Sequence, residues 1–111
     1  MNIQIFGKNK CFDTKKAERY FKERRIKYQY IDLNRYGMSR GELNSVIAAV
    51  GLEAMADPKD VDYELFCRLA RREDQIEKLY EVPEMIRTPV VRNGKQATVG
   101  YCPEVWKSWE S

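Results

Sequence analysis

The chain has 111 residues, 43% hydrophobic and 33% charged, which fits one ordinary globular domain able to bury a core without disulfide or metal staples. Its 20 Lys+Arg against 17 Asp+Glu leave a formal charge of +3, too slight to imply direct nucleic-acid binding. There is no histidine, which removes Ser-His and Cys-His catalytic pairs and mixed Cys/His zinc sites, and the three scattered cysteines form no C-x-x-C pair, so no metal is expected.

The first segment, Asn2 to Phe6 (NIQIF), alternates polar and apolar residues as a half-buried strand does, and Gly7 ends it. No apolar run approaches the roughly 18 residues that span a bilayer, and MNIQIFGK lacks the order of a secretory signal. The three cysteines, Cys11, Cys67 and Cys102, are an odd number at wide spacing, which suits a reducing compartment. The expectation is a cytoplasmic protein with no membrane partner.

From Asp13 the period changes: Ala17, Tyr20 and Phe21 recur at helical spacing, and Asp13 or Thr14 is placed to cap the first turn. Cys11 therefore stands at a strand-to-helix junction, with Lys8, Lys10, Lys15 and Lys16 around it in sequence. Cations and a helix N-terminus both lower a thiol pKa, and the thiolate is the nucleophile. Lys27 to Leu33 (KYQYIDL) reads as a second strand, and the resulting βαβ unit predicts parallel pairing.

Ser39 and Glu42 have capping-box spacing ahead of the stripe Leu43, Val46, Ile47, Val50, which Gly51 stops. Past Asp57-Pro58, the positions Tyr63, Phe66, Leu69 and then Ile76, Leu79, Tyr80 predict two short helices, with Cys67 packed in an apolar stripe. Pro89 to Arg92 and Gln96 to Val99 flank Asn93-Gly94, a hairpin signal in which both central residues suit positive φ. Pro103 opens a last helix with Glu104 at its positive end and Trp106 and Trp109 as packing residues. Tyr28 and Tyr30 share one side of their strand and read as sheet packing. The order βαβ, helices, ββα predicts an α/β thioredoxin-like fold: a four-stranded mixed sheet with flanking helices and a helical insertion over about 39–86.

Two stretches, IFGKNKCFDTKKAERYFKERRIKYQYIDL and RTPVVRNGKQATVGYCPEVW, resemble the arsenate reductase ArsC-like family, which includes the Spx regulators and the YffB-like proteins. The resemblance covers nearly all of residues 1–111 as one domain. It implies that Cys11 is the redox cysteine and Pro89 the cis proline beside it. It also implies anion-stabilising roles for Thr14, Lys15 and Arg87, with the amides of Phe12 and Asp13 as further donors, and substrate contact by Thr88 and Pro89. ArsC reductases hold their oxyanion with three arginines. Here the insertion segment GLEAMADPKD has none, Thr88 precedes Pro89 with Arg87 one place early, and Cys102 precedes Pro103.

An oxyanion needs several converging donors, so this pattern disfavours arsenate. The cysteine before the last helix suggests instead a resolving thiol, a Cys11–Cys102 pair. The resemblance thus implies a thiol-dependent oxidoreductase acting on a disulfide or small oxidised substrate. Such an enzyme would have no tightly bound cofactor, and glutathione or a redoxin would be its electron donor. The alternative it carries is an Spx-like transcription regulator that binds RNA polymerase and senses redox state through a cysteine. Against that stands Thr14, where many Spx proteins have a second cysteine. A binding domain with a vestigial site is the third possibility.

Overall fold

A computed structural model of the chain describes residues 1–110. The elements follow in the order β1 (Ile3–Gly7), α1 (Phe12–Glu23), β2 (Tyr28–Asp32), α2 (Arg40–Val50), α3 (Tyr63–Arg68), α4 (Arg72–Glu81), β3 (Val90–Asn93), β4 (Gln96–Val99) and α5 (Pro103–Trp109). The strands form one sheet in the order β2-β1-β3-β4. The crossover through α1 makes β1 and β2 parallel, whereas β3 returns antiparallel to β1 and pairs with β4 in a hairpin. This is the mixed thioredoxin-like sheet that the element order implied.

Period-2 alternation sorts the core onto two faces. Ile3, Ile5 and Val91 pack with Ala17, Phe21 and Trp106 from α1 and α5, while Phe6 and Val90 pack with residues of α2 to α4 such as Val46, Phe66 and Leu79. β1 is therefore an interior strand covered on both sides, where the alternation in NIQIF had suggested one wet face. Its polar residue Gln4 points into the second layer and is satisfied there: it donates to Glu42 Oε2 at 3.3 Å and accepts from Arg92 Nη1 at 2.7 Å. Trp106 is fully buried, and its indole N–H donates to Thr98 Oγ1 at 2.8 Å, which removes the penalty of an unpaired donor.

Helix ends follow local chemistry. Ser39 Oγ accepts from the Glu42 amide at 3.1 Å while the Glu42 carboxylate accepts from the Ser39 amide at 2.9 Å, completing the capping box read in the sequence. α1 closes without a glycine. Arg25 takes φ 58°, and the Ile26 amide reaches back to the Phe21 carbonyl at 2.9 Å while the Arg25 amide donates to Lys22 at 3.0 Å, the Schellman pattern.

Three expectations are corrected. The hairpin turn lies at Gly94-Lys95, because Asn93 pairs with Gln96 inside the ladder; only Gly94 has positive φ, 61°, so a single glycine suffices, as in a II′ turn. Cys67 is exposed: α3 spans six residues and buries Phe66, and the next position on a helix points about 100° away. Tyr80 is likewise exposed and lies under the Arg40 guanidinium, 4.0 Å from its ring centroid.

Candidate active site

The junction between β1 and α1 is shaped by Gly7. A Cβ there would stand 2.3 Å from Thr14 Cγ2 and 2.9 Å from Thr14 Oγ1, so only a glycine lets the first turn of α1 close onto the strand end. Thr14 fills that space and is 1% exposed. The loop between returns on itself, the Cys11 amide donating to the Lys8 carbonyl at 3.0 Å, and Cys11 becomes the N-cap residue of α1.

Neither Asp13 nor Thr14 caps the helix, because α1 starts early enough to include both; the N-cap makes no side-chain bond. The amides of the first turn stay available, and the sulfur uses them. Burial, the largest influence on the Cys11 thiol, raises its pKa. Hydrogen bonds from the Thr14 and Thr88 side chains and from the Thr14 and Asp13 amides together outweigh it, so the thiol lies below its ordinary value. Thr14 Oγ1 also accepts from the Lys8 amide at 3.5 Å, which leaves its hydroxyl proton for the sulfur. In the thiol form, Cys11 donates to the Thr88 carbonyl at 3.6 Å.

The lysines adjacent in sequence do other things. The Lys8 ammonium donates to the Glu84 carbonyl, Lys15 Nζ lies 6.0 Å from the Phe12 ring centroid, and Lys16 Nζ lies 5.6 Å from that of Tyr101. The sulfur is served by hydroxyls and amides, not by the cationic cluster that the sequence suggested.

Opposite Cys11 the Thr88-Pro89 peptide is cis, as the resemblance implied, and both residues are buried. An isolated bridge pairs Ala56 with Ile86, and the Arg87 amide donates to the Met55 carbonyl at 2.7 Å. This bridge brings the loop at Asp57-Pro58-Lys59 beside the strand end. A cleft of about 730 Å³ opens between these segments, lined among others by Lys10, Cys11, Phe12, Lys59, Arg87 and Thr88. Arg87 thus enters the cleft although it stands one place early in sequence.

Of the candidate residues, Cys11, Arg87 and Thr88 line the cleft, Thr14 underlies Cys11, and Pro89 follows Thr88 through the cis bond. Lys15 and Cys102 are not among its lining residues. Cys102 packs against the α1/α5 side of the core, and its thiol donates to the Val99 carbonyl at 3.5 Å. Burial raises its pKa, against smaller opposing effects of Thr98 and Arg87. The two sulfurs thus sit in contrasting environments, one tuned toward thiolate and the other away from it. The Phe12 side chain, Lys59 and the Asp57-Pro58 turn were missed as parts of the site. The signal for Phe12 was available: at helical spacing it shares a face with Lys16, Arg19 and Glu23, not with the stripe of Ala17 and Phe21, and it is 79% exposed.

No family profile matches the chain. Over 107 residues it is 24% identical to the global transcriptional regulator Spx 2 of Oceanobacillus iheyensis, covering 91% of this chain and 78% of that protein. Among solved structures, the arsenate reductase from Vibrio cholerae superposes with a TM-score of 0.84 at 22% identity over 97% of both chains. A YffB protein superposes with a TM-score of 0.83 at 22% identity, over 96% of this chain and 97% of that one. The chain has the thioredoxin-like fold of the ArsC-related structures.

Proposed function

We propose that this protein is a thiol-dependent oxidoreductase in which Cys11 is the reacting group. The observation that carries the reading is the sulfur's position at the uncapped start of α1, with two threonine side chains and two amides lowering its pKa at the wall of an open cleft. In the reaction, the Cys11 thiolate attacks one sulfur of a substrate disulfide. That S–S bond breaks as a new one forms to Cys11, and the departing sulfur leaves as a thiolate that takes a proton from water. A thiolate of the reductant then attacks the mixed disulfide, releasing the substrate's second sulfur and binding the reductant in its place. A second reductant thiol frees Cys11, so two reductant thiols become one disulfide.

The reductant is a small thiol such as glutathione, or a redoxin. Cys102 is the internal candidate for the resolving thiol, although its raised pKa makes it a poor attacking group at neutral pH. Thr14 and the first-turn amides stabilise the thiolate, Arg87 offers positive charge at the mouth, and Thr88 with Pro89 forms the wall against which a substrate lies. Lys15, whose ammonium lies beside the Phe12 ring and outside the cleft lining, adds to the surrounding field. Arsenate reduction is the narrower version, for which Arg87 is the one guanidinium lining the cleft among the described residues.

The test is alkylation of Cys11 against pH, with reduction of a small mixed disulfide and of arsenate assayed in Cys11→Ser and Cys102→Ser variants. A thiolate titrating clearly below the free value of about 8.5, with turnover abolished by Cys11→Ser, supports the reading. Titration at the free value overturns it. Turnover retained by Cys102→Ser assigns resolution to the external thiol.

The likeness to Spx 2, named a global transcriptional regulator, favours a second reading: a regulator that docks on RNA polymerase and uses Cys11 as a sensor. Capture of RNA polymerase by the Cys11→Ser protein, together with no disulfide turnover by the unmodified chain, would establish it in place of the enzyme.

A further inference from the structure

Building on the assignment of Cys11 as the reacting thiol, we propose that the mouth of its cleft is a docking surface for an acidic, cysteine-bearing segment of a partner protein, with Phe12 as the apolar anchor. Phe12 directly follows the reactive cysteine, yet 79% of it faces solvent. An aromatic ring beside a nucleophile contributes nothing to the chain's own core when so exposed, and aromatic anchors surrounded by charged rims are the usual build of an interface centre.

The surround is cationic, and much of it forms no hydrogen bond or salt bridge. The side chains of Lys10, Lys59 and Arg87 make no hydrogen bond or salt bridge among the described residues, and Lys15 lies beside the Phe12 ring itself. Within the cleft the acidic groups are Asp13 and Asp57, set against Lys8, Lys10, Lys59 and Arg87. Lys8 is held by the Glu84 carbonyl and Arg87 also acts on Cys102; the remaining positive charge at the rim has no hydrogen bond or salt bridge among the described residues. A segment with Asp or Glu on either side of its cysteine meets that charge, and an apolar neighbour of the cysteine covers Phe12.

Size argues the same way. About 730 Å³ is far more than one tetrahedral oxyanion needs, and lies within the range of pockets that enclose larger ligands. A small thiol that reaches Cys11 leaves the Phe12 ring in water. Only an occupant extending past the cleft's edge removes it, and burying a phenylalanine side chain contributes about tenfold or more in affinity.

The test uses the Cys67→Ser protein, which removes the exposed thiol, in single turnover with peptides carrying one cysteine as a mixed disulfide with thionitrobenzoate. The Cys11 thiolate attacks the peptide sulfur, the peptide becomes disulfide-bonded to Cys11, and thionitrobenzoate leaves as a coloured thiolate, so no further reductant is needed. One peptide has Asp and Glu with a leucine beside its cysteine; the other has Lys at the acidic positions. A small mixed disulfide without a peptide is run alongside.

The acidic peptide is expected to react at least about tenfold faster than the basic one at low salt. That advantage should collapse at high salt, since rim charges act chiefly on encounter rate. Phe12→Ser should slow the acidic peptide about tenfold more than it slows the small disulfide, and Lys59→Gln should reduce the salt dependence. Equal rates for the two peptides, or an equal slowing of peptide and small disulfide by Phe12→Ser, overturn the docking surface while leaving Cys11 as the reacting thiol. Failure of the small disulfide itself to react at neutral pH overturns the underlying thiol chemistry instead.

Discussion

Gly7→Ala tests how strand-end packing sets the reactivity of Cys11. The new Cβ would stand 2.3 Å from Thr14 Cγ2 and 3.1 Å from Tyr30 Cε1, against an ordinary carbon–carbon contact of about 3.5–4.0 Å. Thr14 must therefore retreat by more than about 1 Å, and it is 1% exposed with the first turn of α1 behind it. Overpacking of this kind costs about 1–3 kcal/mol, and the stiffer unfolded chain returns about 0.4–1 kcal/mol. A net loss of about 1–2 kcal/mol should lower the urea midpoint by roughly 0.5–1 M at unchanged slope.

Because the Thr14 hydroxyl and amide are among the donors to the sulfur, the same displacement should raise the Cys11 pKa read from alkylation rates. Thr14→Ser removes the Cγ2 that clashes and keeps the hydroxyl. Adding it to Gly7→Ala should recover much of both losses, giving a coupling of about 0.5–3 kcal/mol for residues in contact. A Gly7→Ala protein with wild-type stability and an unshifted thiol would refute the reasoning. So would a loss that Thr14→Ser does nothing to relieve.

Two further predictions follow from the same geometry. Cys11 has its native pKa depressed, so its ionisation favours the folded state above the unfolded-state pKa, and that contribution disappears as pH falls through the native value. The stability of wild type minus that of Cys11→Ser, from urea curves, should thus rise with pH between the lowered native value and the free-thiol value of about 8.5 and be flat on either side; a difference that falls with pH contradicts the assignment. Arg25 holds φ 58° at the end of α1, a conformation costing a non-glycine residue about 1–2 kcal/mol. Arg25→Gly should raise the thermal midpoint, and a lower midpoint would show that the arginine side chain contributes more than its backbone strain costs.

The fold was legible wherever a local signal and the burial pattern agreed. Ser39 and Glu42 encode their helix start through side chains that reach only their own backbone, so the capping box in the sequence is the capping box in the structure. The parallel pairing of β1 and β2 follows from the helix between them. Where tertiary context decides, the local reading failed: Asn93 suits a turn but is held in the ladder opposite Gln96, and Cys67 falls on the wet side of a helix too short to carry a stripe. The interior position of β1 depends on a strand far away in the chain, as in the pairing of Ile5 with Val91, which no window of the sequence contains.

The site was legible in its members and in part of its physics. Cys11, the cis bond before Pro89 and donation from Thr14 and the amides at the start of α1 were expected, but the neighbouring lysines were expected to lower the thiol pKa as well, and nearness in sequence does not bring an ammonium group to the sulfur. In the fold the ammonium groups of Lys8, Lys15 and Lys16 turn to the Glu84 carbonyl, Phe12 and Tyr101, while the donors to the sulfur are hydroxyls and amides. The two origins differ in their response to ionic strength. Attraction between exposed charges is screened over a Debye length of about 10 Å at 0.1 M salt and about 3 Å at 1 M, whereas a hydrogen bond made at contact is not. Alkylation of Cys11 should therefore give nearly the same titration midpoint at low salt and at 1 M. A midpoint that climbs toward the free-thiol value as salt is added would restore the lysines as the cause, and Thr14→Val would then leave the thiol unchanged.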